Sequence, residues 1–258
     1  MCEKTLSRRA MIGSGAAMGA AGLVGTAAAQ EQTRRQGRRR NRDNAPPAVA
    51  PTTQQGFTAL SPDGALRLLI EGNDAFLNDA LPEPPTGAQR RLELAKGQAP
   101  FCAYVTCSDS RVPPELLFGR GLGELFIIRN AGNTVDTVAM GSIEYAVAEL
   151  KVPLVVVMGH ESCGAVGAAK AVVDSNARFP GKIDDMIQPI IPAVLDVRGE
   201  DGSVDLNEAV RQNVRRVVNE LRNESDPLLI ALQRAGRLKV VGAYYNLETG
   251  FVEFFDRP

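Results

Sequence analysis

Two short apolar runs, residues 101–106 and 153–158, lead straight into ligand-bearing residues: Cys107-Ser-Asp-Ser-Arg111 after the first, His160-Glu-Ser-Cys163 after the second. A third run, 125–128, and a stretch of helical spacing, 135–150, lie between them. Short apolar strands alternating with helices have both faces covered, so the pattern predicts an α/β fold with a mostly parallel central β-sheet flanked by helices. In open sheets of this kind ligands bind beyond the carboxyl ends of the strands, which is where Cys107 and His160 fall. Extended N-terminal helices precede the sheet: Ser61 caps the first, Pro62 suits its first turn, and a second covers roughly 88–96. Helices fill 165–235, and strands at 238–245 and 251–255 close the chain around Glu248-Thr-Gly250.

Cys107, His160 and Cys163 are three soft or borderline ligands, the count of a catalytic zinc site whose fourth position is open. An ion so held acidifies a coordinated water to a pKa near ~7, giving a nucleophile at neutral pH. Asp109 and Arg111 stand beside the first ligand. A bidentate pair keeps Asp109 ionised and turned away from the metal. The plainer readings are buried structural thiols, a satisfied core histidine and a surface salt bridge worth little. Cys102, on the strand that carries Cys107, reads as a small buried hydrophobe.

The first 56 residues carry 9 Lys+Arg against 3 Asp+Glu, and residues 57–258 carry 20 against 27. The acidic body makes nucleic acid a poor partner, and the basic character belongs to the leader. Residues 1–29 read as an export signal: Lys4, Arg8 and Arg9, an apolar Ala/Gly stretch, then Ala27-Ala-Ala29. Ser7-Arg8-Arg9-Ala10-Met11-Ile12 is similar to the twin-arginine export motif, which implies passage through that machinery in the folded state and a periplasmic or secreted protein. The apolar stretch is too short for a stable membrane anchor. Residues 30–56, with six arginines and a Pro/Ala/Thr/Gln run, read as a disordered spacer, leaving 57–258 as the single catalytic domain. Once Cys2 leaves with the signal, three cysteines remain, an odd number that argues against a disulfide framework.

Together Cys107-Ser-Asp-Ser-Arg111, Arg129-Asn-Ala-Gly-Asn133 and His160-Glu-Ser-Cys163-Gly164 resemble a β-class carbonic anhydrase over roughly residues 61–255. The resemblance implies a β-carbonic-anhydrase-like fold with one Zn2+ per chain on Cys107, His160 and Cys163. It implies reversible hydration of carbon dioxide to bicarbonate and a proton, with the Asp109–Arg111 dyad orienting the nucleophile. It places Gln98, Phe126, Tyr145 and Gly164 around the substrate, partly across a dimer interface. It further implies a homodimer or tetramer with N-terminal helices reaching over a partner. Without the resemblance, Phe126 and Tyr145 read as core aromatics. A branch of the family that closes its site with bicarbonate carries tryptophan three residues before the first cysteine. Here that residue is Tyr104 and the chain has no Trp, so the open form is expected.

Three other readings remain. The same site serves hydrolysis of carbon disulfide or carbonyl sulfide; a non-catalytic zinc protein would need four protein ligands; a thiol redox pair of Cys102 and Cys107 lacks the Cys-x-x-Cys spacing. The chain holds a single histidine. With that residue on the metal, no imidazole is left to carry protons, and turnover should depend on buffer.

Overall fold

The computed structural model describes residues 49–223 and 227–258; the expected export signal and most of the expected spacer, up to residue 48, lie outside them. In chain order the elements are α1 (Pro62–Leu77), α2 (Ala88–Leu94), β1 (Cys102–Cys107), α3 (Pro114–Leu117), β2 (Leu125–Asn130), α4 (Thr137–Ala148) and β3 (Leu154–His160). There follow α5 (Gly164–Ser175), α6 (Lys182–Ile187), a 3-10 turn (Gln188–Ile190), α7 (Ile191–Asp196), α8 (Leu206–Asn223), α9 (Pro227–Arg234), β4 (Lys239–Tyr245) and β5 (Val252–Asp256). The sheet runs β2-β1-β3-β4-β5, with the first four strands parallel and β5 antiparallel.

After β2 the chain crosses past β1 to lay down β3, so the strand order reverses between β1 and β3. That switch point opens a crevice at the carboxyl edge. Cys107 is the last residue of β1 and His160 the last of β3, so topology alone brings both to the crevice. β1 and β3 are buried along their whole length, as a parallel strand covered on both faces must be.

One face of the sheet packs Tyr104, Met158 and Phe254 against α1 and Phe118; the other packs Val105, Val155 and Val157 against α4, α8 and α9. A third cluster, around Cys107, Cys163, Ile187 and Ile190, fills the end that carries the crevice. Tyr104 is fully buried and its hydroxyl donates to Met158 Sδ at 3.1 Å. Cys102 is also fully buried, and burial pushes its thiol up. It lies five residues along β1 from Cys107, roughly 16 Å at strand spacing, so the two cannot form a redox pair.

Ser61 Oγ accepts from the Gly64 amide at 3.1 Å, capping α1. The helix lays Leu66, Leu68 and Leu69 on its own sheet. Residues 49–56, assigned to the spacer by composition, partly dock on the domain. Ala50 is buried and its amide donates to Glu124 Oε1 at 2.6 Å, while Thr52 bridges to Thr58. The physical reason is Glu124, a buried carboxylate that needs donors: it takes them from Ala50 and from the Gly121 amide (2.7 Å), 3.8 Å from the buried Arg120 guanidinium. Among the described residues no helix is long and apolar enough to cross a membrane.

Candidate metal centre

Cys107, His160 and Cys163 converge at the switch point, their ligand atoms all within 4.8 Å of one another and all three residues buried. The two sulfurs are 3.9 Å apart. A tetrahedral zinc with ~2.3 Å bonds to sulfur sets its thiolates about 3.8 Å apart, so the pair fits the ion. His160 is prepared for the same role. Its Nδ1 donates to the Glu161 carbonyl at 2.9 Å, and its fully buried Nε2 has no hydrogen-bond partner among the described residues. A hydrogen bond at one ring nitrogen fixes the tautomer and leaves the other nitrogen's lone pair for a metal. An orphaned buried nitrogen is costly unless something occupies that position.

The thiol electrostatics agree. The hydrogen bond with the Cys163 thiol beside it, then His160 and the amides of Gly132 (3.4 Å) and Asp109, lower the Cys107 thiol to about 4. That same bond, with burial, pushes Cys163 well above its ordinary value. Cys163 also caps α5, where the amides of Ala165 and Val166 favour its thiolate, as helix N-termini do.

Asp109 sits at the rim. Arg111 grips it with Nε on Oδ1 at 2.9 Å and Nη2 on Oδ2 at 2.7 Å, and its backbone amide adds a third bond to Oδ1 at 3.0 Å. The guanidinium holds the carboxyl well below the usual carboxylate range. Asp109 Oδ2 stands 3.9 Å from His160 Nε2, beside the three-residue group with both oxygens committed to Arg111. Arg129 braces the loop from below, Nε on the Cys107 carbonyl at 2.9 Å and Nη2 on the Asp109 carbonyl at 2.6 Å.

The residues expected around the substrate divide into two groups. Gly164 opens α5 directly after Cys163, so its amide has no intrahelical acceptor and faces the site end of that helix. Gln98 and Tyr145 line a separate groove of about 550 Å³ with Val49, Phe57 and Glu124, to which none of Cys107, Asp109, His160 and Cys163 contributes. Phe126 lies 6.1 Å from Tyr145, ring to ring, and is in register with Ala103. That is four residues before the rung of Cys107, roughly 13 Å along the strand. Within one chain, then, Gln98, Phe126 and Tyr145 stand apart from the metal group.

Gly164 has open space around its Cα, and Ser162, at φ +54°, carries the left-handed turn instead. Gly159 is needed for proximity: a Cβ there would meet Val210 Cγ1 of α8 at 2.6 Å. Sequence reasoning missed the parts that act through the backbone: the Glu161 carbonyl, the Gly132 amide and Asn213, which holds Gly132. Asn213 left one signal, a polar residue within the apolar stripe Ala209, Val210, Val214, Val217, Val218 of α8.

The carbonic anhydrase family profile matches residues 102–252. A carbonic anhydrase of Mycolicibacterium smegmatis is 38% identical over 193 residues, covering 75% of this chain and 93% of that protein. Carbonic anhydrase 2 of Mycobacterium tuberculosis is 38% identical over 190 residues, covering 74% and 91%. Among solved structures, a tetrameric β-carbonic anhydrase of Sordaria macrospora superposes with a TM-score of 0.58 at 30% identity, covering 63% of this chain and 84% of that one. With three ligands at the switch point and these likenesses, the chain belongs to the β-class carbonic anhydrase family.

Proposed function

We propose that this protein catalyses the reversible hydration of carbon dioxide to bicarbonate and a proton, as a zinc-dependent lyase. One observation carries the reading: the buried Cys107–His160–Cys163 group with an ionised Asp109 held beside it. Zinc bound there supplies Lewis acidity that turns water into a nucleophile at neutral pH. Cys107, His160 and Cys163 hold the metal. Asp109, locked by Arg111, accepts a hydrogen bond from the attacking water and orients it toward the carbon. The Gly164 amide supports a developing oxygen charge. The family place of Tyr104, a core tyrosine bonded to Met158, supports the open arrangement.

Proton release distinguishes this chain. His160 is its only histidine, its Nδ1 committed to Glu161 and its Nε2 aimed at the metal group. No second imidazole is available to relay a proton, which leaves through water, buffer, or a carboxylate or tyrosine, and turnover then depends on buffer. Stopped-flow hydration at fixed pH and ionic strength should speed up severalfold between low and high buffer concentration. A rate flat across that range would contradict the missing relay.

The separation of Gln98, Phe126 and Tyr145 from the metal group supports a homodimer or tetramer in which a second copy brings them to it; the Sordaria protein is described as tetrameric. The twin-arginine reading rests on Ser7-Arg8-Arg9 and the 27–29 alanines. Export of a folded protein suits an enzyme whose metal is loaded before transit. Intact mass and solution mass of the exported protein test both: an N-terminus near Gln30 and a multiple of the chain mass support them, while an intact Met1 or a monomer counts against the respective reading.

A further inference from the structure

Gly132 donates its amide to Cys107 Sγ at 3.4 Å, one of two backbone donors to that sulfur, with the Asp109 amide. Its backbone is confined. Gly132 has φ +85°, and a Cβ there would meet Ile190 Cδ1 at 2.5 Å and Ala165 Cβ at 3.1 Å. Glycine has the widest backbone freedom of any residue, and Asn213 anchors this one through its carbonyl, in the peptide that follows the one carrying the amide. Asn213 comes from α8, eighty-one residues later, is 2% exposed, and its Nδ2 donates to the Gly132 carbonyl at 2.9 Å.

We propose that Asn213 is a positioning residue of the metal centre, acting through Gly132 on the thiolate of Cys107. This rests on the reading of Cys107, His160 and Cys163 as metal ligands. A hydrogen bond to a thiolate ligand lowers the energy of its lone pairs. It also fixes the sulfur in place, so its loss makes the ligand easier to displace from the metal. Outer-shell partners of this kind typically change metal affinity by about 10–100-fold. Removing the Asn213 amide unpins the peptide on the carbonyl side of Gly132; the glycine then turns about its own φ and ψ, the bond from its amide to sulfur lengthens, and the sulfur lone pairs rise.

The test compares Asn213→Leu with Asn73→Leu. Asn73 is the matched control: also 2% exposed, it donates to the Gly250 carbonyl at 3.0 Å and accepts from the Val252 amide at 2.8 Å, away from the metal group. Cobalt(II) is loaded into the full protein, the sulfur-to-cobalt charge-transfer band is recorded, and zinc release to excess chelator is timed. In Asn213→Leu the band should move to longer wavelength and zinc should leave about tenfold faster or more. Asn73→Leu should lower Tm yet leave both readouts at wild-type values. Asn213→Asp, of equal volume and with a carboxylate facing the Gly132 carbonyl, should repeat the shift, and it decides the matter should the leucine variant not fold. An unshifted band with wild-type release in the Asn213 variants overturns the proposal, as does an equal change in Asn73→Leu. Wild-type protein that takes up no cobalt overturns the metal reading itself, and this inference with it.

Discussion

Replacing Arg111 by alanine should lower the carbon dioxide hydration rate by about 10²-fold or more while making the protein hold zinc more tightly. Both effects have one cause. Two of the three bonds that fix the Asp109 carboxylate come from the Arg111 side chain; the remaining one, from the Arg111 amide, reaches only Oδ1. Oδ2 is already 3.9 Å from His160 Nε2, and carboxylate oxygen is an ordinary zinc ligand. Once released, Asp109 joins the three-residue group as a fourth ligand and closes the position that water needs. Asp109→Asn separates the two effects. It replaces one carboxylate oxygen by an NH2 donor; with the remaining oxygen drawn to the Arg111 donors the amide turns a donor to the water, so the rate falls comparably, but a neutral amide is a poor ligand and zinc release should stay near wild type. Hydration kinetics and zinc release to a chelator check the pair. Wild-type rates in either variant, or zinc release unchanged in Arg111→Ala, would remove the dyad from its assigned role.

Gly72→Ala should be the most destabilising exchange of a single methyl group on α1. In isolation alanine favours a helix over glycine by about 1 kcal/mol, so propensity predicts a gain. Packing reverses the sign. A Cβ at Gly72 would lie 2.4 Å from the Phe118 carbonyl oxygen and 3.1 Å from its carbon and Cα, all backbone atoms. That segment cannot move aside, because Phe118 is fully buried with its ring 5.4 Å from Tyr104, and the adjacent Asn73 is bonded to Gly250 and Val252. Overpacking of this kind costs about 2 kcal/mol net, which for a domain of this size lowers Tm by roughly 4–8 °C. Thermal unfolding checks it; a raised Tm would mean that α1 docks less tightly than these distances imply.

The sheet was legible because β1 and β3 are continuous apolar runs, and the ligands because each run ends in residues whose chemistry has few other uses. Pattern also revealed Asp109 and Arg111, two residues apart and close enough to pair through local geometry. What stayed hidden acts over long separations or through the backbone. Nothing local ties Asn213 to Gly132, or the Glu161 carbonyl to the tautomer of His160. Composition put residues 49–56 in the spacer, since a single hydrogen bond from the Ala50 amide to Glu124 has no signature in composition. Gln98, Phe126 and Tyr145 were recognised by likeness, and their distance from the metal group within one chain follows from strand register, which a sequence does not display.

The most direct test is to strip the protein of metal, return zinc in steps, and follow carbon dioxide hydration at each step. The rate should start at background, rise in proportion to added zinc and level off at one zinc per chain. A protein that fills with one zinc per chain and still leaves hydration at background would contradict the proposed activity, and hydration at full rate in the stripped protein would contradict the metal centre.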